Sequence, residues 1–438
     1  MEVVSMAEEG VGARPMLLSL SQLLGMGPAL AREAAGQIVH LQWDNLVLHS
    51  VFHPIYSASH GQAMGVEALV RGRDEVGCGI PPPEMIHRAH VLGVMDQWDQ
   101  AVRLMHLHNL SLVQTTARLF LNITPGGPLA NGFRPESFVD TLHAYGMSPD
   151  RVVFELLETS VQDEARLADA VALYRDLGCA VAIDDFGAGA SNFERLWYIS
   201  PDVIKVDRVL LTHAARVPGG RRLLGELVGL LHEGGAMVVL EGVESHNEVV
   251  LALEADADFV QGFAFCRPGS LNGTWYDGST VLQTAGTMLF RRTFQARSWL
   301  TPYTAAMQRA TAALRRGVSF AKVKDQLLEQ ADAEYAFLLD EYGLQLESYP
   351  EALRAVSILS SHGIHAASSS WLRRPYVRQA LETPRSVCVT RPYRSFTTGH
   401  MCVTLSCAYH SRRGLRILCL DVRWDETTAF DAACDAVQ

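Results

Sequence analysis

Between about residues 44 and 265, eight short apolar runs alternate with longer amphipathic stretches, and few architectures accept that rhythm. The runs Val47–Tyr56, Met64–Arg71, Leu119–Ile123, Val152–Leu157, Ala180–Asp184, Val203–Val206, Met237–Glu241 and Phe259–Phe265 read as strands. The stretches Pro83–His108, Pro135–Tyr145, Glu164–Leu177, Arg221–His232 and Asn247–Ala255 read as helices. Gly146, Gly178 and Gly234 stand where a left-handed residue closes a helix. Strands joined by helical crossovers form a parallel sheet covered by helices, and eight of them suit a closed (β/α)8 TIM-like barrel of the α/β class. The main alternative is an open doubly wound sheet, but no Gly-x-Gly-x-x-Gly follows the first strand.

A chain of 438 residues exceeds one ordinary domain. Residues 1–40 read as a lead, with short helices over Leu17–Leu24 and Ala29–Ala35, and residues 41–271 as the barrel. Gly273, Gly278 and Gly286 mark a looser connection, so 272–330 reads as linker and helices, with Leu314, Val318, Val323 and Leu327 at helical spacing. Residues 331–438 read as a small α+β domain with strands at Tyr335–Leu339, Ser386–Thr390, Met401–Ala408 and Leu415–Val422. A net charge of −11 argues against sequence-independent DNA binding, which needs clustered Lys and Arg. The eight cysteines contain no Cys-x-x-Cys pair and read as free thiols in a reducing compartment. No apolar run approaches the ~20 residues of a spanning helix. The N-terminus carries Glu2, Glu8 and Glu9 rather than a basic leader, so the expectation is a cytoplasmic protein without membrane insertion.

The C-terminal ends of parallel barrel strands open onto one face, where barrel enzymes keep their chemistry. Polar residues stand there on almost every strand: Glu67, Asn122, Glu155, Asp184 with Asp185, Lys205 with Asp207, Glu241 and Gln261. Converging carboxylates repel, by about 4 kcal/mol per pair at ~4 Å and an effective dielectric near 20. A proton or a cation must offset that. Oxygen ligands that include an Asn carbonyl suit Mg2+ or Mn2+ better than zinc. The adjacent aspartates can serve neighbouring metals where the strand end bends, and two metals ~3.5–4 Å apart are the usual device for phosphoester cleavage.

Glu67-Ala68-Leu69-Val70-Arg71 matches the E-A-L-x-R signature, and residues 45–270 resemble the EAL phosphodiesterases. Leu121-Asn122-Ile123-Thr124, Glu155-Leu156-Leu157-Glu158, Asp184-Asp185-Phe186-Gly187-Ala188-Gly189, Lys205-Val206-Asp207, Glu241-Gly242-Val243-Glu244 and Gln261-Gly262-Phe263 follow in that family's order. The resemblance implies a first metal on Glu67, Asn122, Glu155 and Asp184. It implies a second on Asp185, bridged by Asp184, with Glu241 and Gln261 completing the shell of the water and the second metal. It makes Lys205, Glu241 and Glu67 catalytic, with Lys205 contacting the attacking water. It gives Arg71, His53, Leu69, Gln261 and Asp207 to the substrate, and makes Glu244 the anchor of the loop 186–193, which the family uses in dimerisation. The implied reaction is hydrolysis of cyclic di-GMP to linear pGpG with two Mg2+ or Mn2+ ions, by a homodimer.

The alternatives are a silent receptor for cyclic di-GMP and an unrelated Mg-dependent barrel enzyme. No Gly-Gly-Asp-Glu-Phe occurs, so synthesis of that nucleotide is not expected. The departures from the family pattern are His53 for Gln before a proline, Leu157 for Thr, Ala190-Ser191-Asn192 for Tyr-Ser-Ser, and Leu240 for Ala.

The C-terminal part resembles a PAS-like or Cache-type sensory fold more loosely. The resemblance rests on Asp340-Glu341-Tyr342-Gly343, Trp371, Arg373-Arg374-Pro375-Tyr376, Pro392-Tyr393 and Asp421. It implies a pocket near Trp371 and Tyr393 for an unknown small acid or amine; a plain dimerisation domain is the alternative.

Overall fold

A computed structural model of the protein describes residues 15–123, 135–157, 164–189, 196, 198–270, 277–346, 370–395, 397–412 and 414–424. The chain divides into two compact units, Met1–Leu289 and Phe290–Gln438.

The first unit carries β1 (Met16–Ser19), β2 (Val39–Trp43), β3 (Leu46–Ser57), β4 (Ala63–Arg73), β5 (Gly79–Ile80), β6 (Arg118–Ile123), β7 (Val152–Leu157), β8 (Ala180–Phe186), β9 (Val203–Val206), β10 (Met237–Leu240) and β11 (Phe259–Val260). Eight of them, β3, β4 and β6 to β11, close a barrel, because β3 pairs with both β4 and β11. From β4 through β11 all the barrel pairings are parallel, whereas β3 runs antiparallel to both its neighbours. This corrects the expectation of an all-parallel ring. Only residues 58–62 join β3 to β4, with Gly61 at φ +70°, and so short a turn makes a hairpin and cannot make a crossover. The ring closes on two residue pairs, Phe259 with Ser57 and Val260 with Tyr56.

Other expectations are corrected locally. The long helix read over Pro83–His108 is two helices, Pro82–Val91 and Met95–Ser111, parted at Gly93 with φ +68°. Gly234 keeps right-handed geometry at φ −72°, and Gly235 at φ +88° takes the left-handed turn instead. The last strand is two residues long rather than seven. The lead holds β1, paired in parallel with β2, and these two strands extend the sheet beyond β3. Ser19 and Gln22 form a reciprocal capping box that starts the helix Leu20–Met26 directly after β1. Leu23, Leu30, Leu41, Leu48, Met85 and Met105 bury together in this extension.

Two layers of apolar packing hold the barrel. Alternate strand residues such as Leu119, Leu121, Phe154, Val181 and Ile204 point outward and pack with helix residues such as Leu142, Tyr174, Leu224 and Val250. The intervening positions Ile55, Phe120, Val153, Ala182, Val203, Val239 and Phe259 form a separate cluster, one residue per strand, that plugs the interior. On β4 the inner position is Gly65, where a Cβ would come within 2.5 Å of the Phe120 ring.

The second unit is a five-stranded antiparallel sheet of β12 (Ala333–Asp340), β13 (Cys388–Val389), β14 (Tyr393–Arg394), β15 (Met401–Ser411) and β16 (Gly414–Arg423). One face packs on Tyr303, Met307 and Ala310 of the helix Ser279–Arg315 and on Phe320, Val323 and Leu327 of the helix Phe320–Leu328. The opposite face packs on Tyr376, Val377 and Ala380 of the helix Pro375–Glu382. Among the described residues no helix is long and apolar enough to cross a membrane.

Candidate active site

Side chains on one face of a strand recur every second residue. Two steps beyond the apolar plug stand Glu67, Asn122, Glu155, Asp184, Lys205, Glu241 and Gln261. On the reversed β3 the same step runs backward, from Ile55 to His53. The polar residues therefore form the next layer of the barrel interior, and all eight strands contribute to it. Asp185 joins them by a different route. The register of β8 slips between Ile183 and Phe186, and Asp185 takes φ +56°. This bulge brings two consecutive carboxylates to one mouth.

Lys205 lies at the centre, 1% exposed. Its Nζ is 2.6 Å from Glu155 Oε1, 2.7 Å from Glu241 Oε1, 2.9 Å from Asp184 Oδ1 and 3.5 Å from Glu67 Oε2. Gln261 Nε2 donates to Glu67 Oε2 at 2.8 Å, and Asn122 Nδ2 donates to Glu67 Oε1 at 3.3 Å. One ammonium faces five carboxylates in this cluster, so negative charge is in excess.

The acid strengths divide accordingly. Burial pushes Glu155 well above the usual carboxylate range despite Lys205. Burial also raises Glu241 to about 8, and burial with the neighbouring Asp184 raises Asp185 to about 6. Burial acts the same way on Glu67, but the Lys205 ammonium and the Gln261 amide outweigh it and hold that carboxyl below its ordinary value. Lys205 is held well above its ordinary value, because Asp184, Glu155 and Glu241 outweigh its desolvation.

Several buried polar atoms are left over. Glu155 Oε2 and Gln261 Oε1 have no hydrogen-bond partner, while Glu155 Oε1 and Asp184 Oδ1 meet the Lys205 ammonium only as ion pairs, outside hydrogen-bond geometry. Oxygens of Glu67, Glu155 and Asp184 lie within 4.8 Å of one another, and so do oxygens of Asp184, Asp185 and Glu241. Two acid triads sharing Asp184, with orphaned oxygens and amide neighbours, fit a pair of hard divalent cations.

The remaining sequence-derived residues lie around this centre. Leu69 and Arg71 continue the inward face of β4 past Glu67, both half-buried. Arg71 Nη1 donates to the Val70 carbonyl at 2.9 Å. His53 stands opposite Glu67 in register, with Nε2 3.2 Å from the Cys266 carbonyl. Asp207 caps the helix Arg208–Arg216 by accepting from the Val209 amide at 2.8 Å. Glu244 pairs with both terminal nitrogens of Arg208. Of the loop 186–193, residues 190–193 lie outside the described residues, as does the Ala190-Ser191-Asn192 departure. Its described part touches the same helix, since Gly187 sits against Leu210. The mouth also holds two side chains to which the sequence reading gave no role. Phe263 is 44% exposed, its ring 6.2 Å from His53, and the Arg267 guanidinium lies 4.4 Å above it.

Residues 41–268 match the model of the EAL domain, more than half of the chain. The chain belongs to the EAL family. The three residues that name the family divide between the two layers: Ala68 packs outward, while Glu67 and Leu69 face in. Among relatives, the cyclic di-GMP phosphodiesterase RocR of Pseudomonas aeruginosa is 27% identical over 229 residues, 51% of this chain and 58% of RocR. The cyclic di-GMP phosphodiesterase NbdA of the same organism is 27% identical over 262 residues, 58% of this chain and 32% of NbdA. The chain spans between 28% and 58% of the length of the curated relatives it matches. The crystal structure of Bacillus subtilis YkuI, an EAL-domain protein in complex with c-di-GMP and calcium, superposes with a TM-score of 0.67 at 20% identity. That likeness of fold covers 86% of this chain and 96% of YkuI, more than the first unit alone can supply.

Proposed function

We propose that the EAL barrel hydrolyses cyclic di-GMP to linear pGpG with two divalent cations, Mg2+ or Mn2+. The pair of acid triads sharing Asp184 carries this reading. The relatives named for the activity, RocR and NbdA, support the substrate. Glu67, Asn122, Glu155 and Asp184 would hold one cation and Asp184 with Asp185 the other, with Glu241 and Gln261 beside it. The cations supply positive charge for the phosphate oxygens and acidity for a water. Lys205 Nζ, within 3 Å of Asp184 and Glu241, would orient that water by donating a hydrogen bond to its oxygen. Arg71 takes phosphate oxygens at the mouth, where a guanidinium binds bidentately. Leu69, His53 and Asp207 line the approach. Glu244 secures the helix against which the loop after Asp185 rests. The second unit acts as a PAS-like or Cache-type sensor that tunes turnover in a cytoplasmic homodimer.

The test is incubation with cyclic di-GMP and Mg2+ or Mn2+, followed by separation of the nucleotides. Linear pGpG should form, chelator should stop it, and Ca2+ should inhibit, because its longer coordination misplaces the water. Tight binding without turnover would leave a receptor in place of the enzyme.

A further inference from the structure

The second unit holds a small, partly open cavity on the sheet face that packs on the helix Pro375–Glu382, walled by Tyr335, Phe337, Tyr376, Tyr393 and Trp371 with the buried Gln345 amide among them. Asp421 projects into it from β16, in register with Tyr335 on β12 and Thr404 on β15. Its side chain is 2% exposed. Thr404 Oγ1 donates to Oδ1 at 2.7 Å and Ser395 Oγ to Oδ2 at 3.4 Å. Both donors are neutral, and among the described residues no lysine or arginine forms an ion pair with this carboxylate. A buried carboxylate facing aromatic rings is costly unless a proton or a cation neutralises it, so the cation test belongs above neutral pH.

The rings already accept a cation at their rim. The Arg374 guanidinium carbon lies 5.9 Å from the Trp371 ring centre and 6.0 Å from that of Tyr393. A ring face draws positive charge, and the draw strengthens where water is excluded. The free volume is about 10 Å3, room for a group the size of one water. An ammonium head meets that size, that carboxylate and those rings together; a carboxylate ligand would meet Asp421 as a like charge.

We propose that this cavity binds the ammonium head of a small amine, with Asp421 as its counter-ion, the aromatic walls as its cage and Arg374 as the resident cation at the rim. The proposal gives a ligand class to the sensory reading of the second unit. Its test reads binding and not turnover, so its failure leaves the reading of the barrel untouched.

The probe is methylammonium chloride, titrated at about pH 8.5, where the Asp421 carboxyl is ionised, into the full chain against sodium chloride at equal ionic strength. Saturation transfer from protein to the methyl protons is the readout. With a ceiling of about 1.5 kcal/mol per heavy atom, a ligand of two heavy atoms should saturate with a Kd no tighter than about 10 mM. The Asp421→Asn chain, folded by circular dichroism, should lose the transfer, and acetate should show none. Arg374→Gln should bind several-fold tighter, because the competing guanidinium is gone from the rim. That variant keeps the proposal testable should Asp421→Asn fail to fold. No transfer to the full chain, transfer unchanged in Asp421→Asn, weaker binding in Arg374→Gln, or preferential binding of acetate or glycine would each overturn the proposal.

Discussion

Lys205 shows how one residue can serve two ends. It is the common counter-charge of Glu155, Asp184, Glu241 and Glu67. Lys205→Ala should lower turnover by about 10^2-fold or more while nucleotide still binds, read by steady-state rates beside calorimetric titration. The same change should cost about 3–5 kcal/mol of stability in chelator, because buried carboxylates are left uncompensated. Excess Mg2+ should restore most of that loss in urea unfolding. A chain equally stable with and without Mg2+ would contradict the cation role of the acids. Asp421 gives a second residue-scale expectation, in pH. Burial raises its carboxyl to about 7, partly offset by Thr404 and Ser395. Between its ordinary value and 7 the folded form keeps a proton that the unfolded chain has released. Stability of the second unit therefore falls as pH rises through about 4 to 7, at up to ~1.4 kcal/mol per pH unit, and then levels off. Urea unfolding across that range should slope downward for the natural chain and run nearly flat for Asp421→Asn. The positions of these residues were legible in the sequence, since strand-end acids interrupt apolar runs. The fourfold pairing of Lys205 was not, because it joins five strands distant in the chain. The fork at Asp184 and Asp185 was expected from the bend of a strand end, but the left-handed φ of Asp185 that makes it was not, since that residue is not glycine.

At the scale of elements, the period of two did most of the work. β7 and β9 begin and end where the apolar runs do. The direction of β3 was hidden, because direction belongs to the length of a connection and not to the run itself. β2 was hidden across the boundary drawn between lead and barrel, where Val39-His40-Leu41-Gln42-Trp43 alternates over only five residues. The helix Arg208–Arg216 was overlooked, although Asp207 two residues after Lys205 is a ready N-cap. The layered interior makes its own forecast. Gly65→Ala would set a methyl 2.5 Å from the Phe120 ring, inside a plug with nowhere to yield. It should destabilise the barrel by about 1–3 kcal/mol, measured by chemical denaturation. Turnover should fall as well, since Phe120 is two residues below Asn122. Wild-type stability in that variant would mean the plug is looser than its burial indicates.

At the scale of the molecule, the two units carry opposite chemistry, an acid-lined barrel and an aromatic-walled sheet domain. Val281, Leu282 and Ala285 bury in the barrel core, so a chain cut near residue 271 would lose packing that the barrel needs. A chain ending at Leu289 should keep the barrel folded, and its turnover should differ from that of the full chain if the second unit tunes it. Turnover per barrel and solution mass decide this: identical rates at every concentration, with both chains monomeric, would exclude such tuning. One further consequence follows from how the ring closes. Five residue pairs join β7 to β8, but β11 is held by only two to β10 and by only two to β3, the junction at which the ring closes. His53 and Gln261 flank that junction, and the Gln261 amide reaches the His53 carbonyl at 3.4 Å. β11 is therefore a seam, held to both its neighbours by the shortest ladders of the ring. Amide exchange should be faster along Phe259 and Val260 than along β7, and a seated cyclic dinucleotide should slow it by stitching the two edges together. The barrel would then be a clasp that its own substrate fastens.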